Sequence, residues 1–299
     1  MTGQEDTRQA APVDRGTEPG SWTPRLVALD IDGTLLKWVD GADTPYEQIP
    51  DVLHDAVQDV LGAGAHVVLA SGRSPHGMIR IADLLDLPAA SGRDERLWVV
   101  ASNGAVIFRY PPLEVVHEET FDASEAVRQV LEHHPEAMVA VEERGVGYKL
   151  NKPFPTGELS GEMIRAEVDE LVGEPVSRVI IRDPNASAED FVALAATLGL
   201  HGTDYVVGWT AWLDLAPVGI SKAFGVEYVA RELGVEQADV LAIGDGRNDI
   251  ELLRWAGRGV AMGQAVEEVR EAADFVTGTV YDDGAADELR RWFPEAPRG

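Results

Sequence analysis

The chain has 299 residues, 45% of them apolar and 26% charged, enough for one large domain or two. Acidic side chains outnumber basic ones 52 to 25, for a formal net charge of −27. Such a surface repels nucleic acid and anionic membranes, and a phosphate-binding site on it needs its own local cations. With no cysteine, the chain excludes disulfides, thiolate metal sites and cysteine nucleophiles.

Residues 1–24 are polar and rich in Gly, Pro and Thr. They lack the apolar segment of a secretory signal and read as a disordered tail. No apolar run approaches the ~20 residues of a membrane span, so the expected location is the cytoplasm. Leu26-Val27-Ala28-Leu29 then predicts a buried strand, followed at once by Asp30-Ile31-Asp32-Gly33-Thr34. Two carboxylates at the end of a buried strand repel each other and are costly to desolvate. A divalent cation together with a phosphoryl group would account for them. The plainer alternative is a surface Asp-Gly turn.

Further along, Pro50 opens a helix whose apolar face is Val52, Leu53, Ala56, Val57, Val60 and Leu61, with Gly62 closing it. His66–Ala70 predicts a second strand, ending at Ser71-Gly72-Arg73. Ser74-Pro75 reads as an N-cap and first helical position, leading a helix that buries Met78, Ile81, Leu84 and Leu85. Leu97–Ala101 is a third strand. The stretch 111–212 has a different texture: two helices (123–133 and 187–199) and strands near 137–141, 147–150, 176–182 and 205–207. It reads as an inserted α+β domain with a faint internal repeat. Residues 213–293 return to the first pattern. A helix runs from Lys222 to Leu233 and stops at Gly234, and a strand over 239–243 leads into Gly244-Asp245-Gly246-Arg247-Asn248-Asp249. A helix to Gly257 and strands near 259–262 and 275–277 follow. Strands apolar on both faces, alternating with helices, predict a doubly wound parallel α/β core over 25–110 and 213–293.

Ligands in such sheets bind at the carboxyl ends of the strands. Asp30–Thr34, Ser71–Arg73, Ser221-Lys222 and Gly244–Asp249 are all expected there. Singly, Ser71 and Ser221 could be plain caps, Lys222 a solvated helix residue, and Asp245 and Asp249 turn acids. The seven histidines have no ligand spacing, and Gly-x-Ser-x-Gly, dinucleotide and Walker loops are missing.

In order and spacing, these segments resemble the motifs of the haloacid dehalogenase (HAD) superfamily, and of its Cof-type (subfamily IIB) phosphatases in particular. Asp30–Thr34 matches the family's Asp-x-Asp-Gly-Thr, Ser71–Arg73 its Thr/Ser-Gly-Arg, Lys222 its lysine, and Gly244–Asp249 its Gly-Asp-x-x-Asn-Asp. Val260–Ala265 and Asp283-Gly284 match two later stretches. The resemblance implies a Rossmann-like core with an inserted cap and a Mg2+-dependent phosphomonoesterase. Its substrate would be a small phosphorylated metabolite, a sugar phosphate or similar, cleaved through an aspartyl-phosphate. Asp30 would be the nucleophile and Asp32 the acid and base, with crowding by Asp30 and Asp245 favouring protonated Asp32. Mg2+ would take Asp30, the Asp32 carbonyl and Asp245, with Asp249 acting on its water or positioning Lys222. Ser71, Gly72, Arg73, Asn248 and Lys222 would bind phosphate. Departures from the pattern are Arg247, which would face solvent or bind a second anion, and Gln264 in place of a frequent Asn. Cap candidates for specificity are Glu142, Glu143, Arg144, Tyr148, Lys149, Arg178, Arg182 and Trp209. The expected partner is a small phosphate monoester, with no nucleic acid or membrane partner, bound by a monomer or small homo-oligomer. A phosphosugar mutase and a silent phosphometabolite-binding regulator are the competing expectations.

Overall fold

The computed structural model describes residues 22–38, 45–46, 48–87, 96–143, 145–156, 158–183, 203–207 and 212–294. The expected helix 187–199, most of the expected tail, Arg144 and Trp209 lie outside them.

The chain opens with β1 (Leu26–Leu29), the short hairpin of β2 (Lys37–Trp38) and β3 (Pro45–Tyr46), α1 (Asp51–Gly62), β4 (His66–Ala70) and α2 (Pro75–Leu84). β5 (Leu97–Ala101), β6 (Val106–Tyr110) and β7 (Glu114–Glu118) complete the first half of the main sheet. A second unit follows: α3 (Ser124–His133), β8 (Met138–Glu143), β9 (Gly147–Leu150), β10 (Glu162–Arg165), α4 (Val168–Leu171), β11 (Val179–Arg182), β12 (Thr203–Val207) and β13 (Trp212–Pro217). The chain then returns with α5 (Lys222–Leu233), β14 (Val240–Gly244), α6 (Ile250–Trp255), β15 (Arg258–Ala261), α7 (Glu267–Ala272), β16 (Phe275–Val276) and α8 (Gly284–Trp292).

The main sheet has eight strands in the order β16-β15-β14-β1-β4-β5-β6-β7. β16 through β5 are parallel, and β6 and β7 add antiparallel to one edge. The side-chain period of two explains the layering. Val27 and Leu29 point to a core shared with α1, α2 and α8; Leu26 and Ala28 point to one shared with α5, α6 and α7. Both faces of the central strands are covered, so their sequences are apolar throughout. Leu84 departs from the expected burial: it is 38% exposed, while Met78, Ile81 and Leu85 are fully buried. The helix turns its last residue outward.

The second sheet has six strands in the order β10-β9-β8-β11-β13-β12. Val139 and Val141, Val179 and Ile181, and Leu213 and Leu215 pack on α3 and α4. The alternate positions put Glu142, Arg178 and Asp214 on the opposite face. Among the described residues no helix is long and apolar enough to cross a membrane.

Candidate active site

β1 lies between β14 and β4 and runs parallel to both. Since β14 comes from the far end of the chain, this is where strand order reverses, the place where doubly wound sheets bind ligands. The loops after β1, β4, β5 and β14 all open at that rim.

Asp30 follows β1 directly and is 4% exposed. Lys222, the first residue of α5, is 1% exposed and donates from Nζ to Asp30 Oδ1 at 2.6 Å and to Asp249 Oδ1 at 2.7 Å. It is therefore buried and paired, not a solvated surface lysine. Ser221 caps α5, its hydroxyl accepting from the Phe224 amide. Asp249 Oδ2 accepts from the amides of Asp245 and Gly246 at 3.1 and 2.9 Å. Thr34 Oγ1 donates to Asp30 Oδ2 at 3.3 Å. Carboxylate oxygens of Asp30, Asp245 and Asp249 all lie within 4.8 Å of one another.

Three carboxylates thus face one ammonium, and the titration directions reflect that excess. Burial, together with Asp249 and against the pull of Lys222, pushes Asp30 well above the usual carboxylate range. Burial and Asp249 push Asp245 up to about 7. Burial opposes the charge on Lys222, yet Asp249 and Asp30 outweigh it and raise its pKa. A cluster with unbalanced negative charge and converging oxygens suits a hard divalent cation. Gly33 makes the approach possible. Its φ is +87°, and a Cβ there would collide with the Asp245 carboxylate.

Asp32 lies apart from this cluster. Arg73 donates to both its oxygens, from Nε to Oδ2 at 2.8 Å and from Nη2 to Oδ1 at 2.7 Å. The expected crowding therefore falls on Asp30 and Asp245, while a cation grips Asp32. The same contact turns the Arg73 guanidinium onto Asp32. Ser71 is buried after β4, and its Oγ accepts from the Arg73 amide at 3.2 Å. Asn248 Nδ2 donates to Asn103 Oδ1 at 2.9 Å. Asn103 packs on Gly72, where a Cβ would sit 3.1 Å from its Oδ1.

Sequence reasoning missed the loop Ser102-Asn103-Gly104 after β5. Its signal is an Asn-Gly pair directly after a predicted strand; Ser102 and Asn103 take φ of 51° and 54°, which Asn tolerates better than most residues. It also gave Gln264 no task. Gln264 Nε2 donates to the Gly33 carbonyl at 2.6 Å and to Asp245 Oδ2 at 3.2 Å, tying two site loops together. Arg247 is exposed and pairs with Glu268 at 3.1 Å, so of its two expected settings it takes the solvent-facing one.

Of the specificity candidates, Glu142, Tyr148 and Arg178 are buried on the face of the second sheet away from α3 and α4. Lys149 pairs with Glu143 at 2.6 Å, and Arg182 pairs with Glu158.

The sequence pattern of the haloacid dehalogenase-like hydrolases matches residues 27–289, and the chain belongs to that family. It is 32% identical to a phosphoglycolate phosphatase of Natronomonas pharaonis, over 89% of this chain and 96% of that protein. It is 26% identical to YitU of Bacillus subtilis, a 5-amino-6-(5-phospho-D-ribitylamino)uracil phosphatase, over 90% and 98%. Its fold matches that of the HAD subclass IIB sugar phosphatase BT4131 with a TM-score of 0.75, at 22% identity and over 90% and 98% of the two chains. Within the family, the chain is a phosphatase, a hydrolase of phosphoric monoesters.

Proposed function

We propose that the chain is a Mg2+-dependent phosphatase of a small phosphorylated metabolite, a sugar phosphate or similar, working through an aspartyl-phosphate on Asp30. The eight-stranded sheet, running on to β7 (Glu114–Glu118) and resuming with the helix α5 (Lys222–Leu233), belongs to its core, and the six-stranded sheet, which closes with β13 (Trp212–Pro217), to an inserted cap, so the borders expected at 110 and 213 move past β7 and past β13. It works in the cytoplasm as a monomer or small homo-oligomer. The observation that carries this reading is the convergence of Asp30, Asp245 and Asp249 around Lys222 at the rim of the parallel sheet.

In this scheme an Asp30 carboxylate oxygen attacks phosphorus and the bond to the leaving oxygen breaks, with Asp32 giving its proton to the leaving alkoxide. Asp32 then takes a proton from the water that attacks the aspartyl-phosphate, releasing phosphate and restoring Asp30. The two hydrogen bonds from Arg73 hold the Asp32 carboxylate in one orientation for both steps. Ser71 Oγ, the Gly72 amide and Asn248 hold phosphoryl oxygens, and Lys222 balances the charge that grows on them. Asp249 positions Lys222, since both its oxygens are already engaged by that ammonium and by two amides. Asp30, the Asp32 carbonyl and Asp245, with Asp249 completing the acidic set, would hold magnesium, which would supply the remaining positive charge for the phosphoryl group.

The test is hydrolysis of p-nitrophenyl phosphate by purified protein with magnesium, with and without Asp30→Asn. Loss of turnover in the variant, and a phosphoryl adduct on Asp30 in acid-quenched wild-type protein, are expected. Full activity of Asp30→Asn would overturn the covalent scheme.

A further inference from the structure

Gln264 lies in the turn after β15, and no step of the proposed reaction uses it. Backbone bonds fix that turn on two sides. The Met262 amide donates to the Gly244 carbonyl, directly before Asp245, at 2.9 Å. The Gly263 amide donates to the Gly278 carbonyl, in the segment after β16, at 2.9 Å. The Ala265 amide closes the turn onto the Met262 carbonyl at 3.0 Å.

The side chain then reaches three segments at once. Its Nε2 has two protons, and both are used: one on the Gly33 carbonyl at 2.6 Å, the other on Asp245 Oδ2 at 3.2 Å. Its Oε1 accepts from the Val280 amide at 2.9 Å. Val280 is buried and opens the short helical turn Val280–Asp282 that precedes α8. Only this orientation of the amide is satisfied. Exchanged, Oε1 would face two acceptors and Nε2 would face an N–H.

The three acidic residues are held differently. Lys222 donates to Asp30 and Asp249, and backbone amides hold the second oxygen of Asp249. Among the described residues, Gln264 gives the one hydrogen bond to the Asp245 side chain. A carboxylate without such a donor turns about its last bond, and a cation must then fix it on binding. We infer that Gln264 is a positioning residue of the magnesium site, which carries the packing of the C-terminal segment at Val280 onto Asp245 and sets that carboxylate for the cation.

This rests on the magnesium site of the proposed function, and the test separates the two. Chelator-stripped full-length protein is titrated with magnesium by calorimetry, as wild type, Gln264→Met and Val280→Pro. Gln264→Met keeps the length of the side chain but has no donor. Its Kd for magnesium is expected to rise by about tenfold to a hundredfold, the usual loss for an outer partner of a metal ligand. Val280→Pro removes the N–H that anchors Oε1 and leaves Gln264 in place. The position opens a helical turn, and Thr279 before it is extended at φ −75° and ψ 164°, a setting that proline accepts. Its Kd is expected to rise as well, by less. Melting temperatures in chelator give the other readout: a merely structural role lowers them and leaves Kd alone. An unchanged Kd in either variant overturns the inference while the proposed function stands. Val280→Pro carries the test if Gln264→Met does not fold. Wild type that takes up no magnesium would overturn the site itself, and this inference with it.

Discussion

Arg73 holds Asp32, two residues beyond Asp30 on the loop after β1, by both carboxylate oxygens, at 2.8 and 2.7 Å. A planar fork of this kind fixes the orientation of a carboxylate as well as its charge. Lysine keeps the charge but loses the fork. Arg73→Lys is therefore expected to lower kcat by roughly tenfold to a hundredfold, at the weak end of general acid–base contributions. The loss should be larger for an alkyl phosphate than for p-nitrophenyl phosphate, whose phenolate needs less help to leave. Equal losses on both esters would mark a merely structural role for Arg73.

The raised carboxylates give the cation-free protein a definite pH dependence. Asp245 sits at about 7 against an ordinary 3.8, and Asp30 is raised as well. A folded-state pKa above the unfolded one contributes stability that is full at low pH and is lost as pH rises through the folded value. Lys222 is raised too, but its contribution is lost only in strongly alkaline solution and stays out of this window. Chelator-treated protein is expected to melt at a lower temperature at about pH 8 than at about pH 5.5. Added magnesium should raise the melting temperature more at the higher pH, because it binds the ionised cluster. A magnesium shift independent of pH would contradict a carboxylate site.

Gly33 and Gly234 separate backbone strain from site geometry. Both have positive φ, +87° and +64°, but an added Cβ meets the Asp245 carboxylate at Gly33 and nothing within 4 Å at Gly234. Alanine at either position costs about 1–2 kcal/mol for the left-handed backbone. Only Gly33→Ala is expected to displace Asp245 and to raise the magnesium concentration for half-maximal activity, by about tenfold or more for a displaced ligand group. Magnesium titrations of the two variants check this, and a matching shift in Gly234→Ala would refute it.

The sheet and the acidic loops were legible because they depend on local pattern. Leu26–Leu29, His66–Ala70 and Val240–Gly244 are apolar on both faces, and a polar motif follows each. The pairings inside the site were less so. Lys222 meets Asp30 across 192 residues of chain, and residue type alone could not say whether Arg73 would turn to phosphate or to Asp32. The loop at Ser102-Asn103-Gly104 depends on left-handed backbone at two non-glycine residues, which strand periodicity does not register. Leu84 fits the apolar stripe of α2 yet faces out, because it is the helix's last residue. The face occupied by Glu142 follows from the alternation Val139-Ala140-Val141-Glu142, but its hydrogen bond to Ser102, 40 residues away, does not.

The buried pair on the same face gives the last prediction. Arg178, directly before β11, and Asp214, on β13, have side chains only 7% and 11% exposed and are joined by two hydrogen bonds. Burial opposes the charge on Arg178, but Asp214 and Tyr148 raise its pKa, so it stays charged. Asp214→Asn removes the balancing carboxylate and leaves a buried guanidinium beside a neutral amide. Breaking a buried pair in this way costs about 3–5 kcal/mol, whereas replacing both partners by apolar groups of similar volume is close to neutral. Urea unfolding is therefore expected to show a large loss for Asp214→Asn and a much smaller one for Arg178→Met combined with Asp214→Leu. If the double variant is as unstable as the single one, the pair contributes net stability and the six-stranded sheet depends on its charge.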